Sequence, residues 1–214
     1  MARLPESRPL LYYITDRRGL PREDVLPVIE RAVAAGVDLI QLRERDLSAR
    51  ELLALAEAGM ARCRGSKTRL LVNDRLDVAL AAGADGLHLP SHGLPAVEVR
   101  RRFPEMLVGA SCHNAEEVRR AEESGADFVV FGPVFETASK QAYGPPVGVE
   151  QLESVARAAK IPVLALGGVT LENAGACLKA GAAGIAAIAL FQTSKDIGET
   201  VRRLRALASE EGRD

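Results

Sequence analysis

Apolar residues are distributed along the chain in two alternating kinds of stretch, and that alternation predicts its elements. Short continuous apolar runs stand at Leu10–Ile14, Arg69–Val72, Met106–Ala110 and Ile161–Leu166. Four more close a recurring phrase: Ala35-Gly-Val-Asp-Leu-Ile-Gln-Leu42, Ala82-Gly-Ala-Asp-Gly-Leu-His-Leu89, Ser124-Gly-Ala-Asp-Phe-Val-Val-Phe131 and Ala180-Gly-Ala-Ala-Gly-Ile-Ala-Ala-Ile188. In each copy a glycine ends an Ala-rich, helix-like stretch, because glycine tolerates the left-handed conformation that closes a helix. The run after it reads as a parallel strand buried on both faces. Between the runs lie helix candidates at 23–35, 48–63, 75–82, 94–102, 114–124, 148–159, 171–180 and 196–208. Ser48 with Glu51, and Asn114 with Glu117, have capping-box spacing.

Eight strands alternating with eight helices predict a parallel sheet, and eight βα units are the number that closes a (β/α)8 TIM barrel. The repeated glycines Gly36, Gly83, Gly125 and Gly181 are 47, 42 and 56 residues apart, about two βα units each. A solenoid would keep a stricter period. An open doubly wound sheet is the alternative, and no Gly-x-Gly-x-x-Gly follows an early strand to support its dinucleotide-binding form. The expectation is one domain over 1–214 with its barrel core at about 10–208. One connection is long, Gly132–Gly148, and a loop of that length in so economical a barrel reads as a lid or binding loop. Gly19 and Pro21 mark a shorter break.

Composition narrows the partners. Hydrophobic residues make up 47% of the chain, enough for one sizeable core, and the net charge is −1. That balance excludes nothing small but gives no footprint for nucleic acid or an anionic membrane. No apolar stretch reaches the length of a membrane span, and the first residues lack the apolar centre of a secretory signal. Cys63, Cys112 and Cys177 are odd in number and without paired spacing, which fits a reducing cytoplasm and core roles.

In such a barrel the chemistry belongs at the carboxyl ends of the strands. The residues there are Thr15 and Asp16, then Gln41, Arg43, Glu44 and Arg45, then Asn73 and Asp74. His88 and His92 follow, with Ser111 and His113, with Thr137, Ser139 and Lys140, and with Gly167, Gly168, Ile188 and Ala189 at the end. Loops after the seventh and eighth strands commonly hold phosphate on backbone amides, which points to Gly167–Gly168 and Ile188–Ala189; the alternative is a tight Gly-Gly turn. Arg43 and Arg45 share a face if the second strand continues, and with Lys140 they form a cationic rim for phosphate or carboxylate. Alternatively they pair with Glu44 and Asp46 in solvated salt bridges. Gln41 is a buried amide that needs partners. His113, two residues after Ser111, is the candidate general acid or base, unless it packs or caps the next helix. His88 reads as a satisfied barrel histidine and His92 as a loop residue. Asp74, and Asp16 with it, suit magnesium, though Asp74 equally suits a helix cap; nothing has zinc spacing.

Six ordered motifs between about Leu11 and Leu190 resemble the thiamin phosphate synthase superfamily. They are Gln-Leu-Arg-Glu-Arg (41–45), Val-Asn-Asp-Arg (72–75), Gly-Leu-His-Leu-Pro-Ser (86–91), Gly-Ala-Ser-Cys-His (109–113), Phe-Gly-Pro-Val-Phe-Glu-Thr-Ala-Ser-Lys (131–140) and Leu-Gly-Gly-Val (166–169). The resemblance implies a (β/α)8 barrel acting in thiamin biosynthesis. The synthase joins a pyrimidine diphosphate to a thiazole phosphate with Mg2+, and its pattern has a Lys where this chain has Arg45. Its pattern also has Gly-Gln-x-Asp where this chain has Pro90-Ser91-His92-Gly93, so the second metal aspartate is missing. The thiazole tautomerase branch looks closer at Arg-Glu-Arg, Leu-Pro-Ser, Ser-x-His and Phe-Gly-x-Val-Phe-Glu-Thr. In that branch the histidine matched by His113 is implied to move a proton, aromatising a thiazole carboxylate phosphate without metal. Gly167, Gly168, Ile188 and Ala189, helped by Thr137 and Ser139, are implied to take the phosphate, and Arg43, with Asn73 or Lys140, to orient the rest. The expectation is therefore a tautomerase needing no cofactor, with a small phosphorylated thiazole as its partner and a homodimer possible. Thiamin phosphate synthase, using Asp74 for Mg2+, is the alternative, and a non-catalytic barrel binding a phosphorylated metabolite the third.

Overall fold

The computed structural model describes Leu4, residues 9–137 and residues 145–210, with side chains as far as Leu207. Eight strands, β1 (Leu10–Ile14), β2 (Leu39–Leu42), β3 (Arg69–Asn73), β4 (Gly86–Leu89), β5 (Leu107–Cys112), β6 (Phe128–Phe131), β7 (Val163–Leu166) and β8 (Gly184–Ala187), pair in parallel in chain order, and β8 closes on β1. The helices are α1 (Leu26–Ala34), α2 (Ala49–Cys63), α3 (Leu76–Ala81), α4 (Ala96–Arg102), α5 (Ala115–Glu123), α6 (Gly148–Ala158), α7 (Ala174–Lys179), α8 (Ala189–Gln192) and α9 (Ile197–Glu210). The expected closed barrel is the fold, and the open sheet is ruled out by the β1–β8 pairing. No described helix is long and apolar enough to cross a membrane.

The period of two along each strand sorts side chains into two cores. Leu10, Tyr12, Ile14, Leu39, Leu71, Leu107, Phe128, Val130, Leu164 and Ala186 form the cluster inside the barrel. Their sequence neighbours, such as Leu11, Tyr13, Ile40, Leu70, Val72 and Val108, pack outward under the helices. Gly109 makes room for the Phe128 ring, whose Cζ would lie 2.4 Å from a Cβ at that position.

The recurring phrase has one structural meaning in all four copies. Gly36, Gly83, Gly125 and Gly181 have φ between 63° and 86°. Each sits in a Schellman closure, with paired bonds such as Gly36 N–H to Val33 O and Val37 N–H to Ala32 O. The aspartate that follows then works at the amino end of the barrel. Asp38 Oδ2 accepts from Leu11 N–H at 2.7 Å and Arg205 at 2.9 Å. Asp85 takes Leu70 N–H at 2.9 Å and Arg69 at 3.0 Å, and Asp127 takes Val108 N–H at 2.7 Å and Arg100 at 2.6 Å. Three neighbouring odd strands thus have their entry amides held by a carboxylate that an arginine anchors in turn. The fourth copy has Ala183 there instead.

Departures from the expected elements are local. The first helix starts at Leu26 rather than 23, because 3-10 turns at Arg17–Gly19 and Pro21–Glu23 occupy the approach and Arg22 and Glu23 take positive φ. The seventh starts at Ala174, after a turn closed by Asn173 Oδ1 on Thr170 N–H at 2.7 Å. The short helix α8 was not expected; its four residues are too few to carry a helical period. The Ser48–Glu51 capping box is complete. At the second, Asn114 Oδ1 accepts from Glu117 N–H at 2.9 Å, but the Glu117 carboxylate turns back to His113, so the box is only half made.

Candidate active site

The carboxyl ends of the strands form a polar mouth, and parity decides what faces it. Counting inward-facing positions upward from the interior cluster leads to Gln41, Asn73, His88, Ser111 and Ile188. Gln41, Asn73 and His88 are almost wholly buried, at 1%, 8% and 2% exposure, and Ser111 is half-buried. Gln41 has the partner that its burial requires: its Nε2 donates to Tyr12 Oη at 3.1 Å. Tyr12 in turn meets His88 Nδ1 at 3.1 Å, and His88 Nε2 meets Ser111 Oγ at 2.9 Å. His88 is thus the satisfied barrel histidine expected. Tyr12, not singled out in the sequence, lies at the centre of the chain; the available signal was a phenol on the same inward parity as Gln41. Burial pushes its pKa well above the ordinary phenol value, against a smaller lowering by the Gln41 hydrogen bond.

The β1–β2 edge of the mouth is held by two buried polar residues. Glu44, 4% exposed, accepts from Thr15 Oγ1 at 2.5 Å and from Arg17 N–H at 3.1 and 3.2 Å. Gln192 on α8 accepts from Tyr13 Oη at 2.9 Å and Asp16 N–H at 3.1 Å, and donates to Asp16 O at 2.8 Å. Two expectations are corrected here. β2 ends at Leu42, so no strand carries the Arg43–Arg45 alternation; Arg43 is half-buried and Arg45 exposed. Asp46 pairs with Arg17 and Arg18, and Glu44 is taken by Thr15 and the Arg17 amide. Arg43 N–H donates to Thr15 Oγ1 at 3.1 Å, which ties its backbone to the same edge.

His113 continues the inward parity of β5 one residue past the strand, just before the Asn114 cap of α5. Glu117 Oε2 accepts from His113 N–H at 2.8 Å and lies 3.0 Å from its Nδ1. With Nδ1–H donating to that carboxylate, Nε2 is the nitrogen with a lone pair for a proton. The capping alternative fails, because Asn114 makes the cap, whereas the packing alternative is met only in part by a side chain 27% exposed. Glu117 was legible in the sequence only as a capping residue. Cys112, facing outward, is a core thiol pushed up to about 12 by burial and then by the Glu117 charge.

Asp74 stands exposed where β3 ends, at φ 61°. It does not cap α3, whose cap position is Arg75 without a side-chain bond, and its carboxylate makes no hydrogen bond or ion pair among the described residues, with Arg75 as its neighbouring charge. A Cβ at Gly93 would lie 3.1 Å from Asp74 Oδ1, so the aspartate faces the ground where a longer side chain at 93 would grow. Asp16 instead gives its backbone to Gln192. No group of three or more His, Cys, Asp or Glu gathers for a metal among the described residues. Magnesium demands less, one or two carboxylates completed by substrate oxygens and water, and Asp74 fits that.

On the opposite edge, Gly167 and Gly168 have φ of 98° and 63°, and both lie hard against the segment after β6. A Cβ on Gly167 would stand 2.5 Å from Pro133 Cα, and one on Gly168 2.4 Å from Glu136 O. The tight-turn reading of this pair is therefore correct as far as it goes. The backbone amides of Gly168, Val169, Ala189 and Leu190 nevertheless have no protein acceptor among the described residues, and such amides suit an anion. Ala189 is exposed and Ile188 half-buried against the interior cluster. Thr137 is half-buried at the end of the same segment. Ser139 and Lys140 lie outside the described residues.

Comparison with known proteins adds the lineage. Residues 11–191 match the family model described as thiamine monophosphate synthase. A Geobacter sulfurreducens protein, provisionally named a thiamine-phosphate synthase, is 47% identical over 205 residues, covering 95% of this chain and 96% of its own. The thiamine-phosphate synthase of a Roseiflexus species is 39% identical over 95% of this chain and 86% of its own. Among solved structures, thiamine phosphate pyrophosphorylase from Pyrococcus furiosus superposes with a TM-score of 0.83 at 33% identity, covering 94% of this chain and 96% of that one. These names support the transferase rather than the isomerase expected from the motifs, and the tautomerase branch is not singled out. A match of this extent over a mouth of this composition makes the chain a member of the thiamine-phosphate synthase family, enzymes of thiamine biosynthesis.

Proposed function

We propose that the chain is a thiamin phosphate synthase, a transferase that joins a pyrimidine diphosphate to a thiazole phosphate and releases pyrophosphate. The observation that carries this over the tautomerase is Asp74: a carboxylate at the mouth in an uncommon backbone conformation, capping nothing and, beyond the nearby charge of Arg75, making no hydrogen bond or ion pair among the described residues. A tautomerase would leave that side chain without a task, and the names of the relatives point the same way.

In this reading Asp74 would hold magnesium at the mouth. The ion, when bound, neutralises charge that develops on the departing pyrophosphate. Asn73, beside Asp74, offers an amide donor to the diphosphate oxygens. Arg43 supplies a positive charge at the mouth, and Lys140 is assigned the same task from its motif. The amides of Gly168, Val169, Ala189 and Leu190 take the thiazole phosphate, whose charge suits unpaired N–H groups. Both anions are then held on opposite edges of one mouth, which orients the thiazole nitrogen toward the diphosphate-bearing carbon of the pyrimidine, where the C–N bond forms and the C–O bond to pyrophosphate breaks.

A second reading, the thiazole tautomerase, is favoured by Gly93 beside Asp74, which leaves one carboxylate where the synthase pattern has two. The His113–Glu117 pair also supplies that reaction with an oriented base. One pair of assays separates them. Purified protein receives pyrimidine diphosphate and thiazole phosphate with magnesium, and separately the exocyclic thiazole isomer with a chelator. Turnover in the first, lost by about 100-fold or more in Asp74→Asn and unaffected in fold by circular dichroism, is the expected result. Turnover only in the second, abolished by His113→Ala, replaces the synthase with the tautomerase. Tight binding without turnover in either would make the protein a metabolite-binding barrel.

A further inference from the structure

Four polar side chains from four strands are linked across the upper barrel interior. Gln41 Nε2, Tyr12 Oη, His88 Nδ1 and Nε2, and Ser111 Oγ follow one another at 3.1, 3.1 and 2.9 Å. The first three residues are at most 2% exposed, and only Ser111 reaches the mouth. Counting donors sets the direction of the chain. An amide nitrogen donates and cannot accept, so the Tyr12 oxygen accepts from Gln41 and its proton goes to His88 Nδ1. That ring nitrogen is then unprotonated. The ring proton sits on Nε2 and is donated to Ser111, which leaves the serine hydroxyl hydrogen for a group in the mouth. A charged imidazole breaks the count: the Tyr12 oxygen would face two donors, and its own proton would have no acceptor within the chain, at the cost of an unsatisfied buried group.

We propose that Tyr12 and His88 are positioning residues that fix the direction of the Ser111 hydroxyl, making it a hydrogen-bond donor that selects an acceptor atom of the substrate, an anionic oxygen or an unprotonated ring nitrogen. The chain orients and does not relay. Passing its proton out through Ser111 would leave a tyrosinate at position 12, and burial opposes that charge strongly. Ser111 is therefore no general acid, and proton transfer at the mouth falls to other groups. This inference rests on the mouth being the substrate site, as proposed above.

Nitrogen NMR of the histidine rings in the substrate-free wild-type protein tests the direction without any assay of function, with His88 assigned by the loss of its signals in His88→Gln. A protonated Nε2 and a bare Nδ1 are expected near neutral pH. A protonated Nδ1, alone or with Nε2, overturns the proposal whichever reaction the enzyme runs. Tyr12→Phe tests the consequence, since it keeps the ring packing and removes only the hydroxyl. The expected result is a mixed His88 tautomer and a KM raised about tenfold with kcat nearly unchanged, the size of one neutral hydrogen bond. Ser111→Ala should raise the same KM, and the double variant should add little to either. Unchanged KM in both single variants overturns the link to substrate. Isothermal titration of Ser111→Ala with inorganic pyrophosphate, with thiazole phosphate and with the unphosphorylated pyrimidine should weaken one of the three, which names the acceptor; undiminished binding of all three overturns the selection. Absence of turnover in the wild-type enzyme would remove the functional reading while leaving the NMR result standing.

Discussion

The two ends of this barrel use the same kinds of residue for opposite purposes. At the amino end, Asp38, Asp85 and Asp127 each have a strand amide and an arginine as partners. At the carboxyl end, Asp74 has neither, only the nearby charge of Arg75, and four backbone amides there lack acceptors among the described residues. A satisfied carboxylate lowers the energy of the fold, whereas an unsatisfied one at a mouth keeps its charge for a ligand. The segregation is the one expected of such barrels, stability at the bottom and chemistry at the top. What the comparison teaches is that the residue type alone does not assign the role. The backbone amide within its reach does.

The contrast predicts opposite outcomes from like substitutions. Asp127→Ala should cost about 2 kcal/mol of stability, because it leaves Val108 N–H without its acceptor and takes the carboxylate from the part-buried Arg100, which keeps the carbonyls of Pro104, Met106 and Gly125. Urea unfolding would measure it, and the KM of the surviving fold should stay unchanged. Asp74→Asn should show the reverse, with unfolding midpoint unmoved and turnover lost; similar losses of stability in both would erase the distinction. Of similar size, Gly168→Ala should cost about 2 kcal/mol, since positive φ and a Cβ 2.4 Å from Glu136 O act together. Thermal unfolding tests this, and phosphate binding should weaken with it if the neighbouring amides hold the anion.

A smaller effect belongs to Gly93→Asp. The new carboxylate would enter beside Asp74 Oδ1, and the magnesium concentration for half-maximal activity should fall by about fivefold, as a second hard oxygen ligand joins the first. An unchanged magnesium dependence would mean that Asp74 does not bind the ion. Smallest of all is the response of the cysteines. Burial pushes Cys63 and Cys177 up to about 11 and Cys112 to about 12. Raised pKa values mean thiols rather than thiolates at pH 8, so the native protein should resist alkylation that the urea-unfolded chain accepts at all three sites. Rapid labelling of Cys112 in the native state would point to opening around β5 and α5.

Much of the architecture was legible because a buried parallel strand has few ways to be written. Leu10–Ile14 is a strand in both the pattern and the structure, and the four helix-closing glycines all adopt the conformation that their sequence position implied. The site was less legible. Gln41, Asn73 and Ser111 were found from strand ends alone, but Arg43 and Arg45 were grouped on a strand that stops before them. The loop turns because Thr15 and Glu44 bond across from β1 to β2, and a contact between residues 29 positions apart leaves no local period. Glu117 was read as half of a capping box, a local pattern, when its carboxylate is taken by His113 instead.

The order of apolar runs and glycines thus determined by itself that eight strands and their helices exist, since burial on both faces and helix closure are demands met within a few residues. Which polar groups remain unsatisfied was decided only when β8 met β1 and the strands took their register. Tyr12, Gln41, His88 and Ser111 are scattered over 100 residues of chain, and nothing along it states their order. Closure brings them within hydrogen-bond distance and leaves one hydroxyl facing the mouth, because donors and acceptors can be counted only once they are neighbours in space.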